Sequence, residues 1–360
     1  MKKLFVIFAL ILSLSVCACG EADSDTSGER AGGSDIIYVY NYGVYIDPDC
    51  IDMFEEETGI TVVYDVFDTN EEMYPVIASG SVRYDVVCPS EYMVEKMIAN
   101  DLLAEINFDN VPNAEYISDT CRQFMKMYDP EGKYSVPYSW GTVGILYNSR
   151  MIEEGAIKGW ADLWDPQYYD EIMMMDSLRD AFMAAQKLLG YSCNTVDEAE
   201  MRAACDKLIE EKEIVYKYDT DAIRDFLLNE SAAMGVIYSG EALYCQEDDP
   251  DLLYVLPEEG SNVWFDNWVI PANCQNKEGA EAWINFMCRP DIAMMTYEYI
   301  HYSTPCSAII DEIAETYPED LENPALFPDE ETLAKCEIYH YLGEEADELY
   351  NELWKEFKTS

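Results

Sequence analysis

Two extended, aromatic-bearing stretches constrain the fold of this chain more than any other feature. Tyr138-Ser139-Trp140-Gly141-Thr142-Val143-Gly144-Ile145-Leu146-Tyr147-Asn148 comes first, and Val263-Trp264-Phe265-Asp266-Asn267-Trp268-Val269-Ile270-Pro271 follows after residues 149–262, material enough for an α/β lobe. A central lobe inserted into one built from flanking segments makes the chain cross twice, and two extended crossings form a hinge above a cleft. The expected boundaries place residues 35–141 with 263–310 in the first lobe and 142–262 with 311–360 in the second.

Ahead of the first crossing, strand and helix signals alternate. Residues 36–40 are a short apolar run that reads as a buried strand. Asp47-Pro48 offers an N-cap and a first-turn proline, and Gly59 closes the helix. Residues 60–67 read as the next strand, and Asn70 caps a helix to Gly80 that Pro75 would kink. Residues 84–88 form a third strand, after which Ser90 caps a helix to Asn100. Strands alternating with helices of this length predict an α/β fold, each lobe a mixed, mostly parallel sheet flanked by helices and joined by a two-crossing hinge.

The amino terminus adds an address. Lys2 and Lys3 precede an apolar run over residues 4–16 that is too short to span a bilayer, so residues 1–18 read as a secretory signal. Ala18-Cys19 resembles the lipobox of bacterial lipoproteins, which implies cleavage before Cys19 and a lipid on its sulfur; Cys17, preceded by Val16, matches less well. Residues 19–34, short and polar, read as a flexible tether. Acyl chains anchor rather than span, so the expected location is the extracytoplasmic face of the cell membrane, with the membrane touched through the lipid only.

Composition narrows the partners. With 72 acidic and 22 basic residues the formal charge is −50, which excludes nucleic acid and suits a cationic ligand. Beyond the two cysteines near the amino terminus, ten lie scattered from Cys50 to Cys336, with no zinc-like spacing and no assignable disulfide. The chain holds only His301 and His340 and no HExxH, GxSxG or GxxxxGK[ST] pattern, so no metal, cofactor or enzymatic activity is expected. Acids such as Asp180 and Asp266 could serve a hydrolase, an alternative with nothing else behind it.

Several stretches in consistent order carry a family likeness: Tyr40-Asn41-Tyr42-Gly43-Val44-Tyr45, Phe54-Glu55-Glu56-Glu57-Thr58-Gly59-Ile60, Tyr84-Asp85-Val86-Val87-Cys88-Pro89-Ser90-Glu91-Tyr92 and Val136-Pro137-Tyr138-Ser139-Trp140-Gly141. Trp160-Ala161-Asp162-Leu163-Trp164, Trp264-Phe265-Asp266-Asn267, Ile270-Pro271-Ala272 and Tyr302-Ser303-Thr304-Pro305 continue the series. Over roughly residues 36–345 the chain resembles the spermidine/putrescine-binding proteins of bacterial polyamine ABC transporters. The resemblance implies a periplasmic-binding-protein fold closing on a polyamine, and delivery to a permease with its ATPase on other chains. A monomer is expected.

A polyamine presents ammonium groups on a methylene chain, which carboxylates and aromatic walls can hold at roughly 0.5–2 kcal/mol per aromatic contact. Tyr42 and Tyr45, with Gly43 between them, follow the first strand at the carboxyl edge where open α/β sheets bind ligands. Ser90 and Tyr92 occupy the equivalent edge after the third strand, where Ser90 could equally be an N-cap. Trp264 and Asp266, two apart in an extended segment, leave one face together, and Asp266 is the foremost candidate. The resemblance further implies Tyr238 as a wall, Tyr302 as a closing tyrosine and Asp180 as a second carboxylate. Ser177 stands where relatives carry another acid, and Tyr339 where a glutamine is typical. Glu241 either replaces that lost charge or is a solvated helix residue. Two rival cargoes keep the fold: ferric iron, through Tyr168-Tyr169, or a sugar stacked on aromatic walls.

Overall fold

The computed structural model describes residues 35–360; the expected signal, the lipidated Cys19 and the tether lie outside the described residues. Local chemistry sets the first elements. Strand β1 (Ile36–Tyr42) leads to helix α1 (Pro48–Thr58), where Asp47 accepts from the Asp49 N–H, Pro48 fills the first position and Gly59 ends the helix at φ +71°. Strand β2 (Thr61–Phe67) pairs parallel with β1 along its whole length.

Helix α2 (Asn70–Ser79) starts one residue earlier than an Asn70 cap would place it. Thr69 is the N-cap, accepting from the Glu72 N–H, and Asn70 sits inside the first turn with its side chain turned to Ser90. Pro75 lies inside this helix, as its position in the sequence requires. Strand β3 shrinks to Val86–Val87, although Asp85 and Cys88 still donate their N–H groups to the Tyr38 and Tyr40 carbonyls. Helix α3 (Glu91–Ala99) follows, with Ser90 at its N-cap position.

Helix α4 (Asp119–Tyr128) precedes the long strand β4 (Ser135–Asn148). The insert then brings β5 (Ile172–Met174), α5 (Leu178–Leu188), α6 (Glu198–Glu211), β6 (Lys217–Tyr218), α7 (Ile223–Leu228), β7 (Met234–Tyr238), α8 (Ser239–Asp248) and β8 (Leu252–Val255). Strand β9 (Val263–Val269) returns to the first half, followed by α9 (Lys277–Met287), α10 (Pro290–Ile300), α11 (Ile310–Thr316), α12 (Glu330–Leu333) and α13 (Glu344–Thr359).

The strands form one path, β2-β1-β3-β9-β4-β7-β5-β6, with β8 also on β4. Pairing is parallel among β1, β2 and β3 and among β5, β6 and β7, and antiparallel wherever β4 or β9 takes part. Residues 135–142 of β4 pair with β9, and residues 143–147 pair with β7, so one strand of 14 residues belongs to both halves. Residues near Glu337 also run beside the start of β9, with Asn262 bridging Glu337 in parallel. Those additional residues carry the chain to α13, whose Tyr350, Leu353 and Phe357 bury against Phe182, Met201 and Leu208 of α5 and α6. Each such side chain contributes about 1.5–3 kcal/mol when fully buried.

All ten cysteines of the described residues are free, and all but Cys274 are buried. Burial pushes the Cys50 thiol up to about 12, so this cysteine packs as a small hydrophobe rather than reacting. Among the described residues no helix is long and apolar enough to cross a membrane.

Gly260 offers a clean test of how the C-terminal segment packs beside the residues that lead into β9. It adopts φ +87°, and an added Cβ would lie 2.1 Å from the Lys335 carbonyl oxygen of the C-terminal segment. Gly260→Ala is expected to destabilise the protein by about 2 kcal/mol or more, read as a lower urea midpoint with unchanged slope. An unchanged midpoint would contradict the close approach.

Candidate functional site

Side chains alternate along β9, so Trp264 and Asp266 share one face while Phe265 turns into the core. There Phe265 stacks on Trp140 at 5.9 Å and lies 5.1 Å from Phe124. Asp266 is only 6% exposed. Its Oδ2 accepts from the Tyr45 hydroxyl at 2.7 Å and its Oδ1 from Ser90 Oγ at 2.7 Å. Although Ser90 occupies the N-cap of α3, its hydroxyl makes no cap bond; that group is given to Asp266. Asn70 donates to Ser90 Oγ at 3.0 Å, and the Tyr42 hydroxyl lies 3.1 Å from the same oxygen. Behind them, the Tyr138 hydroxyl donates to the Tyr45 carbonyl at 2.7 Å. Burial raises the Asp266 carboxyl to about 6, against the opposing pull of the Ser90 and Tyr45 hydrogen bonds.

Asp180, in the first turn of α5 and 4% exposed, is built the same way. Ser177 Oγ donates to its Oδ2 at 2.5 Å, the Tyr238 hydroxyl to the same oxygen at 2.9 Å, and the Tyr339 hydroxyl to Oδ1 at 3.0 Å. Ser177 is the N-cap of α5 and again makes no cap bond. Arg179 does not neutralise its neighbour. Its guanidinium lies 4.3 Å from the centre of the Tyr339 ring and donates to the Cys193 and His340 carbonyls. Among the described residues, every hydrogen bond that the Asp180 or Asp266 carboxylate accepts comes from a hydroxyl.

A run of aromatic rings connects the two acids. From Tyr238, which holds Asp180, the next ring is Trp264 at 6.4 Å and 89°. Trp264 meets Tyr302 at 5.0 Å and 80°, and Tyr302 meets Tyr45, which holds Asp266, at 6.0 Å and 70°. All are edge-to-face contacts, each worth roughly 0.5–1.5 kcal/mol beyond burial. Two glycines admit these rings. A Cβ on Gly141 would lie 2.5 Å from Trp264 Cζ2, and one on Gly240 would lie 2.3 Å from the Tyr302 ring.

Other expected residues stand at varying distance from this cluster. The Tyr92 hydroxyl bonds to Glu71 at 2.9 Å. Burial holds the Tyr42 and Tyr238 phenols well above their ordinary value, with Tyr92 a lesser contributor to both. Gly43 is exposed beside Val44, which takes φ +51° and is 85% exposed. Glu241 pairs with Arg224 at 3.2 Å with its side chain 45% exposed, and its charge adds to the burial that raises the Tyr302 phenol. Tyr168 and Tyr169 lie on a short 3₁₀ turn, with Tyr169 66% exposed. Among the described residues no group of three or more His, Cys, Asp or Glu is placed to hold a metal.

One residue beside the site has no role in the sequence reading. Glu91 is fully buried, its Oε2 accepting from the Phe265 N–H at 2.9 Å and its Oε1 from the Tyr339 N–H at 3.2 Å. An acid in the first turn of a helix reads as a dipole partner, and the local sequence holds no other signal.

Comparison with known proteins adds a family. Residues 49–325 match the family described as bacterial extracellular solute-binding protein. The spermidine/putrescine-binding periplasmic protein of Salmonella typhimurium is 34% identical over 348 residues, 96% of this chain and 98% of the relative. Its Escherichia coli counterpart is 32% identical with the same coverage. Among solved structures, the spermidine/putrescine ABC transporter substrate-binding protein PotD of Streptococcus pneumoniae superposes with TM-score 0.80 at 38% identity, covering 90% of this chain and 99% of that one. A Treponema pallidum lipoprotein superposes with TM-score 0.79 at 25% identity, covering 91% of this chain and 100% of its own.

The Asp266 environment makes a prediction of its own. Removing the Tyr45 hydroxyl withdraws a bond that favours the ionised acid. In Tyr45→Phe the Asp266 carboxyl is expected to titrate above about 6, by NMR of the labelled side chain. A lower or equal value would mean that this bond does not hold the charge.

Proposed function

Because the chain belongs to the bacterial spermidine/putrescine-binding proteins, a family of extracellular solute receptors and not of enzymes, we propose that it binds a polyamine between two lobes and delivers it to an ABC transporter. One observation carries this function: two buried carboxylates, each dressed only by hydroxyls, stand at the ends of a run of aromatic rings. A carboxylate offers roughly four acceptor sites, and neither acid has filled them. An ammonium completes each set, and the methylene chain between lies along the rings.

The proposed ligand set is Tyr42, Tyr45, Ser90, Tyr92, Asp180, Tyr238, Trp264, Asp266 and Tyr302, with Ser177 and Tyr339 orienting Asp180. The proposed lobes are residues 35–141 with 263–310 and 142–262 with 311–360, which sets the cleft where β4 and β9 cross. A sugar would require neutral hydrogen-bonding side chains in place of the two acids, and ferric iron would require Tyr168 and Tyr169 beside them. The receptor acts as a monomer, anchored outside the cytoplasm by a lipid on Cys19, and meets a permease and its ATPase. Relatives named as periplasmic and a neighbour named as a lipoprotein support that placement. A surface of net charge −50 concentrates the cation near the cleft.

Putrescine or spermidine is expected to raise the melting temperature of the purified protein in proportion to ln(1 + [L]/Kd), whereas sugars and ferric ion leave it unmoved. In Asp266→Asn most of that gain disappears, because a desolvated ammonium loses its counter-charge. A ferric or sugar response without a polyamine response would refute the function.

Binding should also depend on pH with a definite sign. The raised Asp266 carboxyl is ionised above about 6 and protonated below it. Affinity is therefore expected to fall as pH drops through that value, by up to about tenfold per pH unit. Calorimetric titrations that show constant affinity across this window would exclude Asp266 as the ammonium's partner.

A further inference from the structure

Glu91 touches the backbone beside both carboxylates of the proposed site. It begins α3 between Ser90 and Tyr92 and is fully buried. One oxygen accepts from the N–H of Phe265, the residue between Trp264 and Asp266. The other accepts from the N–H of Tyr339, whose hydroxyl holds Asp180. The path from Asp180 to Asp266 therefore runs through one rigid clasp: Tyr339 hydroxyl, Tyr339 N–H, Glu91 carboxyl, Phe265 N–H. The C-terminal segment is gripped again farther along α3, where Glu95 accepts from the Tyr341 N–H at 2.9 Å and lies 3.1 Å from His340 Nδ1. Helix α3 thus fixes where the Tyr339 strap sits relative to β9.

We propose that Glu91 is a positioning residue that sets the separation of Asp180 and Asp266, and through it the length of polyamine the site prefers. This rests on the polyamine reading above. A fully buried carboxyl bonded at both oxygens to main-chain N–H groups has already given up its rotamer freedom on folding, so it holds a distance better than a solvated side chain does. The acid need carry no charge for this task. Burial pushes its carboxyl up to about 8, against the pull of the Phe265 and Tyr339 N–H groups and with a smaller push from the Asp266 charge. Tyr92, Tyr128 and Cys193, titratable groups that feel it, are held above their ordinary values chiefly by burial.

The test is a calorimetric series of α,ω-diamines, from diaminopropane to diaminohexane, together with spermidine, on the parent, Glu91→Gln, Glu91→Ala and Tyr339→Phe proteins. The parent is expected to favour one chain length. Glu91→Ala should cut the preference for that length over its neighbours by about tenfold, the scale of a lost buried hydrogen-bonding group. Glu91→Gln, nearly isosteric and with one good acceptor, should fall between, and it carries the test if Glu91→Ala does not fold. Tyr339→Phe cuts the clasp at its Asp180 end and should loosen the length preference in the same direction as Glu91→Ala. Folded Glu91 variants that keep the parent's length preference, even at reduced affinity, would overturn the positioning role alone. A parent that binds no member of the series would overturn the polyamine reading and this role together.

Discussion

A carboxylate withdrawn from water must find donors or a cation, and Asp180 and Asp266 find only hydroxyls of their own chain. Hydroxyls ease the loss of solvent without cancelling the charge, so each acid remains a place where a cation is stabilised. That condition explains what surrounds them. Tyr45 is pinned from behind by Tyr138, Ser90 is held by Asn70, and Asp180 is braced by Ser177, Tyr238 and Tyr339. These groups arrange donors before any ligand arrives, which lowers the cost of organising the site on binding.

The same condition explains two local departures from ordinary helix chemistry. Serine at an N-cap usually accepts from a first-turn N–H, an interaction worth about 1 kcal/mol. Ser90 and Ser177 both hold N-cap positions, and both give their hydroxyls to a carboxylate instead. Two helices in different halves of the sheet forgo the same stabilisation for the same partner type. Gly141 and Gly240 show a parallel trade, since each lacks the Cβ that would collide with Trp264 or Tyr302. Packing alone would favour a larger residue at such positions; ring access does not.

The sequence revealed what depends on neighbours along the chain and concealed what depends on neighbours in space. Asp47, Pro48 and Gly59 bound their helix as read, because capping is a matter of adjacent backbone groups. The shared face of Trp264 and Asp266 was legible because strand periodicity settles it. Ser90 was not decidable, since a hydroxyl serves a helix N–H or a carboxylate equally well and only the fold brings Asp266 near. Asn70 was misread as a cap for a related reason: Thr69 competes one residue earlier, and the partner that claims Asn70 is Ser90, twenty residues away. Glu91 left no signal, because both its partners are main-chain N–H groups that every residue type supplies.

The contrast between Glu91 and Asp266 shows how the fold controls charge near the proposed ammonium. Burial raises both, yet Asp266 settles at about 6 and Glu91 at about 8. The group that ionises first meets a neutral neighbour, and the second must ionise beside an existing negative charge. The Asp266 charge accordingly adds to the burial that raises Glu91. The negative charge of this corner therefore forms at Asp266 before Glu91. A single ammonium balances one charge. Were Glu91 ionised as well, the chain would bury an excess acid that no bound amine end could neutralise, and the cost would fall on the closed, folded state. A neutral Glu91 would hold backbone in place while Asp266 alone faced the proposed ammonium.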